Sequence, residues 1–494
     1  MMTVMSRIEP LLSDRELLRY LQCPHWLYWE LYGDPALKKQ GMETREELMQ
    51  GKLLKEKAIA RKMYGKISSV SGASDEERAK KTLRLMKRGA AAIYGGCLQY
   101  EQIVGNPTLL IRKEQPSVCG DWSYIPVLVK RKHVLRKEDH LQVGWQGRLL
   151  SKIQEVMPTE GFVLGPDGEL LPSDPREAEI EVQEIIQELE RIQAGECPDP
   201  TLRKACVDVS PWGACCLELA ERTQDIALLF QVNRRQREAL RQIGVLTVEQ
   251  AVAMDPSQLS GLDPRLTLKS LQSIQRQARS LTENAIIVRA AFKPSPVTYE
   301  IHFDIESHPP TDTDYLFGCF VRDTQTGEEK YVPFVAKRLS DEKRLWAKFV
   351  AWAETLPENY VVYHYSMYER ERIELMGRRY QTEEHAGVKR FLDSMVDLNE
   401  TLKDHAAFPL YIYSLKNIGK LIGATWEGAV SHGADSVGVY ERWLTKKDSS
   451  DLEALIAYNE EDTRATAKLL DWLTTYAAKE AIYLRPFPWE AKIG

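Results

Sequence analysis

Alternating apolar and polar residues mark one stretch of the chain, residues 299–306, as a β-strand. The run reads Tyr-Glu-Ile-His-Phe-Asp-Ile-Glu, and a Ser-His-Pro-Pro break follows it. Because side chains two residues apart on a strand point to the same face, we expect Asp304 and Glu306 side by side, opposite the apolar row. Two adjacent carboxylates repel each other, and a hard divalent cation such as Mg²⁺ or Mn²⁺ would relieve that repulsion. The alternative is an edge strand whose two acids face water.

The patterns around this strand predict a mixed α/β sheet covered by helices. They are, in chain order, strands at 314–321 and 330–335, a helix at 341–355, a strand at 360–364 and a helix that begins near 367–369. Three strands in a meander, followed by alternating helices and strands, are typical of such a sheet. The last long helix carries Tyr458 and Asp462, which are four residues apart and therefore share one helical face.

Earlier parts of the chain show helical patterns with one pair of strands. Residues 11–32 are predicted as one amphipathic helix, capped by Ser13 and Glu16. The other elements are helices near 44–65 and 75–95, two strands within 107–130 that join at a Cys119–Gly120 turn, a helix at 140–155 and an acidic helix within 166–196. Residues 222–282 are predicted to be helical throughout and are rich in Arg. They resemble a helix–hairpin–helix module, which binds DNA phosphates; a purely structural linker is the alternative.

Composition limits the possible classes of protein. The 494 residues are 43% hydrophobic and 28% charged, with a formal net charge of −6. This length predicts two to four domains, and contact with nucleic acid would need local basic patches or metal bridging to phosphates. Eight scattered cysteines without a disulfide framework indicate a reducing, cytoplasmic environment. Neither a membrane span nor a secretory signal is expected, because the chain has no apolar run of the required length.

Three motifs in the last two fifths of the chain resemble those of the DnaQ-like 3′–5′ exonucleases, the DEDD superfamily in its tyrosine-bearing form. The motifs are Asp304-x-Glu306, His364-x-x-x-Tyr368-Glu369 and Tyr458-x-x-x-Asp462. The resemblance implies a ribonuclease H-like fold that hydrolyses phosphodiester bonds with two Mg²⁺ or Mn²⁺ ions. The implied metal ligands are Asp304, Glu306, Glu369 and Asp462. Tyr458 would orient the attacking water. Glu369 replaces the usual Asp, so the alternative is that it is a surface helix residue.

Two further residues near these motifs are candidates for supporting roles. Lys416 follows a predicted helix start at Ser414 and could contact the nucleic-acid backbone; the alternative is a solvated surface lysine. Asp397 lies in an otherwise apolar stretch, where it either supports the site or caps a helix.

The N-terminal part resembles the RecB-like branch of the PD-(D/E)XK nucleases, and especially the CRISPR-associated iron–sulfur exonucleases. The matching residues are Cys23-Pro24, Gly51, Lys55-Glu56, Gly120-Asp121 and Lys130. Leu128 occupies the place of the second metal-binding carboxylate, so we interpret this domain as a degenerate, inactive nuclease fold. The domain is predicted to bind nucleic acid through Lys130, Arg131 and Lys132. The alternative is an active N-terminal nuclease in which Glu114 or Glu138 replaces the missing carboxylate.

The same resemblance implies a 4Fe–4S cluster held by thiolates. The predicted ligands are Cys23, Cys197, Cys206 and Cys215. Cys197, or alternatively Cys216, substitutes for the middle cysteine of the family's pattern, where this chain has Val209. The alternative is that these cysteines are small buried or idle thiols.

The whole chain resembles RecB-like nucleases that carry a C-terminal ribonuclease H-like domain. The stretches that carry this resemblance include FDIES, DYLFG, YHYSMYERERI and YNEEDTRATAKLLDWL. It implies a RecB-like domain at 1–221, a helical segment at 222–296 and a ribonuclease H-like DEDDy domain at 297–494. The first functional hypothesis is a DNA 3′–5′ exonuclease that acts on single-stranded ends. The second is a nucleic-acid-binding scaffold made of two decayed nuclease folds.

Overall fold

The chain forms two compact units, Met1–Ala220 and Glu221–Gly494. This computed structural model describes residues 12–39, 57, 60–130, 135–165, 168–202, 210–428, 430, 433–475 and 482–483. Helices long and apolar enough to cross a membrane are absent from these described ranges. The predicted helical segment, residues 222–296, lies within the second unit.

A six-stranded mixed sheet organises the first unit. The strands of this unit are β1 (Leu12–Ser13), β2 (Ser68–Ser69), β3 (Ala92–Tyr94), β4 (Leu98–Tyr100), β5 (Ile103–Gly105), β6 (Leu109–Lys113), β7 (Ser123–Val129), β8 (Phe162–Leu164) and β9 (Leu170–Pro172). The helices are α1 (Asp14–Gln22), α2 (His25–Tyr32), α3 (Asp75–Lys87), α4 (Lys137–Gln154), α5 (Glu179–Gln193) and α6 (Gly213–Arg222). The sheet order is β2-β3-β6-β7-β8-β9, with β6 and β7 forming the predicted antiparallel pair.

The helix predicted at 11–32 is two helices in the structure, because the chain breaks at Cys23 and Pro24. Cys23 has an extended backbone (φ −151°, ψ 111°), as expected for a residue that precedes proline. Pro24 has no N–H group with which to continue α1, and it is the N-cap residue of α2. The predicted capping box of Ser13 and Glu16 is confirmed. The break leaves Cys23 and His25 close together and fully buried.

The second unit begins with helices and ends with a five-stranded sheet. Its helices are α7 (Arg234–Gln242), α8 (Val248–Ala253), α9 (Pro256–Leu259), α10 (Leu268–Glu283), α11 (Glu342–Thr355), α12 (Tyr368–Arg379), α13 (Ala386–Asp393), α14 (Leu398–His405), α15 (Leu415–Leu421), α16 (Gly433–Lys446) and α17 (Ser449–Thr475). Its strands are β10 (Ala285–Val288), β11 (Tyr299–His308), β12 (Thr313–Asp323), β13 (Glu329–Val335), β14 (Tyr360–His364), β15 (Met395–Asp397), β16 (Ala406–Ala407) and β17 (Ile482–Tyr483).

The five-stranded sheet has the order β13-β12-β11-β14-β15. β11, β12 and β13 form the predicted antiparallel meander, whereas β14 pairs in parallel with β11 and β15 pairs in parallel with β14. The parallel pairs are connected through α11 and through α12–α13, so the chain changes from hairpins to helical crossovers at β13. The predicted mixed sheet is therefore confirmed.

Both faces of the central strand β11 are covered. Its apolar row packs into an aromatic core in which the rings of Phe303, Phe349 and Phe391 contact one another, with centroid distances of 5.0–5.7 Å. The opposite face, which carries Asp304, packs against α17. Burial on both faces means that the acids of β11 are not on a solvated edge strand, which was the alternative interpretation of the sequence.

Candidate functional site

Three carboxylates meet where α17 crosses β11. Oxygen atoms of Asp304, Glu306 and Asp462 all lie within 4.8 Å of one another. Glu306 and Asp462 are buried and Asp304 is half-buried. A strand that presents two carboxylates on one face and a helix that presents a third thus form one acidic cluster, which is a donor set that hard divalent cations prefer.

A glycine allows α17 to come this close to the sheet. Gly318 on β12 lies opposite Asp304 in the strand register. A Cβ atom at position 318 would be 1.6 Å from Oδ1 of Asn459, a residue of α17. Asn459 uses the space to donate from Nδ2 to Oδ2 of Asp304 at 2.6 Å, and its Oδ1 accepts a hydrogen bond from the Tyr331 hydroxyl at 2.7 Å. Asn459 therefore fixes the orientation of the Asp304 carboxylate.

Burial raises the pKa of every carboxyl group in the cluster, and repulsion between the carboxylates adds to the shift for Asp304 and Glu306. Burial is the largest cause for Asp304, and the charges of Asp462 and Glu306 raise its pKa further. Burial also raises the pKa of Glu306 to about 8. The pKa of Asp462 is raised by burial as well, although the nearby Lys416 ammonium opposes the shift. Burial and repulsion of this kind make the charged carboxylates costly, and a divalent cation is the partner that would offset that cost.

Hydrogen-bond donors from three other elements surround the cluster. The Ser436 and Tyr315 hydroxyls donate to Oε2 of Glu306 at 2.7 and 3.3 Å. Trp426 Nε1 donates to Oδ1 of Asp462 at 2.7 Å. These donors stabilise the charged form of both carboxylates and limit their rotation, so the oxygen atoms are held in place.

Glu369 lies next to the cluster but outside the close group of three. It is buried at the start of α12, and its charge contributes to the raised pKa of Asp304. Its Oε2 accepts a hydrogen bond from the Ser366 hydroxyl at 3.4 Å and lies 3.5 Å from Nδ1 of His364. Burial raises the pKa of Glu369 too. Glu369 is thus a buried acid beside the site, and not the surface helix residue of the alternative interpretation.

The turn that carries Glu369 has a strained backbone. Ser366 has φ 107°, a region that side chains other than glycine rarely adopt. Its N–H donates to Oδ1 of Asp397 at 3.1 Å, and the same oxygen accepts the N–H of Asn399 to cap α14. Asp397 therefore serves both roles left open by its sequence context, because it caps a helix and supports the turn behind Glu369.

A family model described as the RNase_H superfamily matches residues 301–474. The second unit therefore contains a C-terminal RNase H-like domain. Members of this superfamily generally hydrolyse phosphodiester bonds with divalent metals, so the match indicates a nuclease-type activity and a nucleic-acid substrate. The matched segment includes the acidic cluster, Glu369 and Tyr458. No curated protein matches the chain.

Tyr458 and Lys416 complete the polar surface of the RNase H-like domain's site. Burial and the charges of Asp462 and Glu306 raise the pKa of Tyr458, so its hydroxyl stays protonated. The Lys416 ammonium lies 4.3 Å from the centre of the Tyr458 ring. Burial lowers the pKa of Lys416, and the charges of Asp462 and Glu306 oppose that shift. The predicted backbone-contact lysine is therefore located at the carboxylates.

Sequence reasoning missed Asn459, Gly318 and Tyr331. Asn459 had a usable signal, since it is three residues before Asp462 and therefore near the same helical face. Gly318 and Tyr331 had none, because each acts through a contact with α17, which is more than 110 residues further along the chain.

Among the residues that the structure describes, Asp121 and Lys130 of the RecB-like resemblance lie near opposite ends of one strand. Asp121 is exposed just before β7, and Lys130 follows the other end of the same strand. The seven residues of β7 lie between these two positions. Lys130 donates to Oε1 of Gln142 at 2.9 Å, and Leu128 is buried. Arg131 and Lys132, like Gly51, Lys55 and Glu56, lie outside the described residues.

Of the four predicted iron–sulfur ligands, the structure describes Cys23, Cys197 and Cys215. Cys23 contacts Cys216, with their sulfurs 3.7 Å apart. Cys215 is buried but does not belong to the group of ligating atoms around Cys23, and Cys197 is exposed. Cys206 lies outside the described residues. The four-thiolate set, which includes Cys206, therefore stays a prediction.

Proposed function

We propose that the protein is a metal-dependent 3′–5′ exonuclease that shortens DNA, with single-stranded ends as the preferred substrate. The observation that carries the proposal is the meeting of Asp304, Glu306 and Asp462 within 4.8 Å inside the RNase H-like domain. The polarity and the substrate rest on the resemblance of three motifs to the DEDDy exonucleases. Their third motif accounts for Tyr458, which stands beside the carboxylates.

The donor set of this cluster fits Mg²⁺ or Mn²⁺. All its ligands are carboxylate oxygens, and burial together with repulsion makes their charged forms costly in the absence of a cation. In our proposal, Asp304, Glu306 and Asp462 hold two ions, with Glu369 contributing from its neighbouring position. Bound there, the ions would lower the pKa of the attacking water and stabilise charge on the leaving oxygen.

The protein's own side chains have distinct tasks in this proposal. Asn459 keeps the Asp304 carboxylate oriented through the 2.6 Å hydrogen bond. Tyr458, which stays protonated because its pKa is raised, positions a water molecule through its hydroxyl and does not act as the base. Lys416 brings a positive charge to the cluster, where it would contact the substrate phosphate.

The decisive experiment follows shortening of labelled oligonucleotides by the full chain with Mn²⁺. We expect a 5′-labelled single-stranded DNA to lose nucleotides stepwise, and a phosphorothioate link at its 3′ end to block this loss. Asp304→Asn should lower the rate by more than about 10²-fold, because one ligand loses its charge. Glu300→Gln is the matched control, since Glu300 is on the same strand and face but pairs with Arg322 at 3.5 Å instead of joining the cluster.

Two outcomes would contradict the proposal in different ways. Shortening that persists in Asp304→Asn would exclude the acidic cluster as the catalytic site. Cleavage of circular single-stranded DNA would identify an endonuclease and refute the polarity. Parallel reactions on RNA of the same sequence test the preference for DNA.

A second candidate function is a nucleic-acid-binding scaffold without catalysis. The position of Glu369 favours it, since this residue lies outside the close group and contacts Ser366 and His364. Calorimetric titration with Mn²⁺ separates the two candidates. Heat of binding that is lost in Asp304→Asn supports the nuclease, whereas DNA binding without any Mn²⁺ binding supports the scaffold.

A further inference from the structure

Three buried side chains with metal-ligating atoms meet in the first unit, and the proposed nuclease site does not use them. They are Cys23 at the end of α1, His25 at the start of α2 and Cys216 on α6. Their ligating atoms all lie within 4.8 Å of one another. Each side chain is at most 2% exposed. The Pro24 break between α1 and α2 is what brings Cys23 and His25 to the same place.

The distance between the two sulfurs distinguishes between types of site. Cys23 Sγ and Cys216 Sγ are 3.7 Å apart. Two sulfurs that bind one zinc ion at about 2.3 Å each, with a tetrahedral angle between them, are about 3.8 Å apart. A disulfide would need about 2.05 Å. In a 4Fe–4S cluster each cysteine binds a different iron, so the sulfurs would be further apart than on a single ion.

A hydrogen bond fixes the protonation of the His25 ring. Its Nε2 lies 2.8 Å from the carbonyl oxygen of Pro198. Because a carbonyl can only accept, Nε2 carries the hydrogen and the lone pair of the neutral ring is on Nδ1. A histidine that donates one ring N–H to a backbone carbonyl while the other nitrogen binds a metal is a common arrangement around zinc.

The surroundings of the three ligands also suit a soft metal ion. Trp26 and Trp29 pack against Cys23 and Cys216 and keep water away from the sulfurs. Thiolate and imidazole together are ligands typical of Zn²⁺, whereas Mg²⁺ and Mn²⁺ prefer oxygen. A metal ion here would join two segments that are 193 residues apart in the sequence.

We propose that Cys23, His25 and Cys216 bind a single tetrahedral Zn²⁺ ion that stabilises the first unit. This assignment is an alternative to the iron–sulfur cluster implied by the sequence resemblance, because the sulfurs of Cys23 and Cys216 have the spacing of two ligands on a single ion. Water or a further ligand completes the tetrahedron. The proposal is independent of the nuclease site, which uses carboxylates in the other unit.

Metal analysis of the full chain tests the proposal. We expect protein purified without oxygen, from cells supplied with both metals, to contain one zinc ion per chain, no stoichiometric iron or acid-labile sulfide, and no visible charge-transfer absorption. Cobalt(II) in place of zinc should give the strong visible bands of a tetrahedral ion bound to thiolates. Chelation of the metal should lower the midpoint of thermal unfolding of the first unit.

Neighbouring cysteines provide a matched pair of variants. Cys216→Ser should lose the zinc and the cobalt bands, whereas Cys215→Ser should retain both, although Cys215 is also buried on α6. If Cys216→Ser does not fold, the cobalt spectrum of the wild-type chain decides the question alone. Stoichiometric iron with sulfide would overturn the proposal in favour of a cluster. Folded protein that binds neither zinc nor cobalt would also overturn the proposal, and Cys23 and Cys216 would then be ordinary buried thiols.

Discussion

Replacing Gly318 with alanine is the sharpest test of how the acidic cluster is built. The new Cβ would be 1.6 Å from Oδ1 of Asn459 and 2.8 Å from the Tyr331 hydroxyl oxygen. Even the tightest contacts of a Cβ atom are about 3.0 Å long, so Oδ1 of Asn459 would have to move away by about 1.4 Å. A movement of that size breaks the hydrogen bonds of Asn459 with Asp304 and Tyr331, which are 2.6 and 2.7 Å long.

The expected cost follows from these two hydrogen bonds. A hydrogen bond to a charged group contributes about 1.5–3 kcal/mol and a neutral one about 0.5–1.5 kcal/mol. Gly318→Ala should therefore lower the free energy of unfolding by about 2–4.5 kcal/mol. It should also weaken Mn²⁺ binding, since Asp304 loses the donor that orients it.

Urea denaturation and calorimetric titration with Mn²⁺ measure the two effects. Gly438→Ala is the control, because a Cβ there meets nothing within 4 Å and alanine favours the helix. Asn459→Ala combined with Gly318→Ala should cost less than the sum of the single changes, since the clash needs both side chains. A Gly318→Ala protein with wild-type stability and wild-type Mn²⁺ affinity would refute the reasoning.

Two further predictions concern buried charges of the RNase H-like domain. In the absence of divalent metal, the free energy of unfolding should fall as pH rises from 4.5 to 8, because burial raises the pKa of Glu306 from 4.5 to about 8 and the folded chain retains a proton that the unfolded chain has lost. Urea denaturation in EDTA should show this slope, and Glu306→Gln should flatten it; an equally steep slope in that variant would contradict the assignment. Arg372→Met should cost about 3–5 kcal/mol, since it leaves the buried Asp314, 2.9 Å from Arg372, without its guanidinium. Arg370→Met, which removes a more exposed pair on the same helix, should cost less than about 1 kcal/mol in the same assay, and equal losses in the two variants would refute the argument.

Local patterns in the sequence were enough to predict most elements of the C-terminal sheet. The alternation in residues 299–306 predicted a strand with one buried apolar face and one acidic face, and the structure has both. The four-residue spacing of Tyr458 and Asp462 likewise predicted that the two side chains share one face of a helix. Such patterns succeed because the periodicities of strands and helices depend only on neighbouring residues.

Local patterns failed where a single residue decides a boundary or a direction. The helix predicted at 11–32 breaks at Pro24, whose effect on Cys23 overrides the apolar periodicity. Cys215 and Cys216 are adjacent on α6 and point about 100° apart around the helix axis, so only its packing decides which one reaches Cys23.

The sequence by itself determined that Asp304 and Glu306 share a face of β11 and that Tyr458 and Asp462 share a face of α17. It did not determine that these faces meet, because Asp304 and Asp462 are separated by most of the domain. That contact depends on Gly318, which gives Asn459 room above the sheet, and the burial that results raises the pKa values of the carboxyl groups. Burial and long-range contact are properties of the packed chain, and for that reason only the tertiary structure turns two acidic faces into one cation-binding cluster.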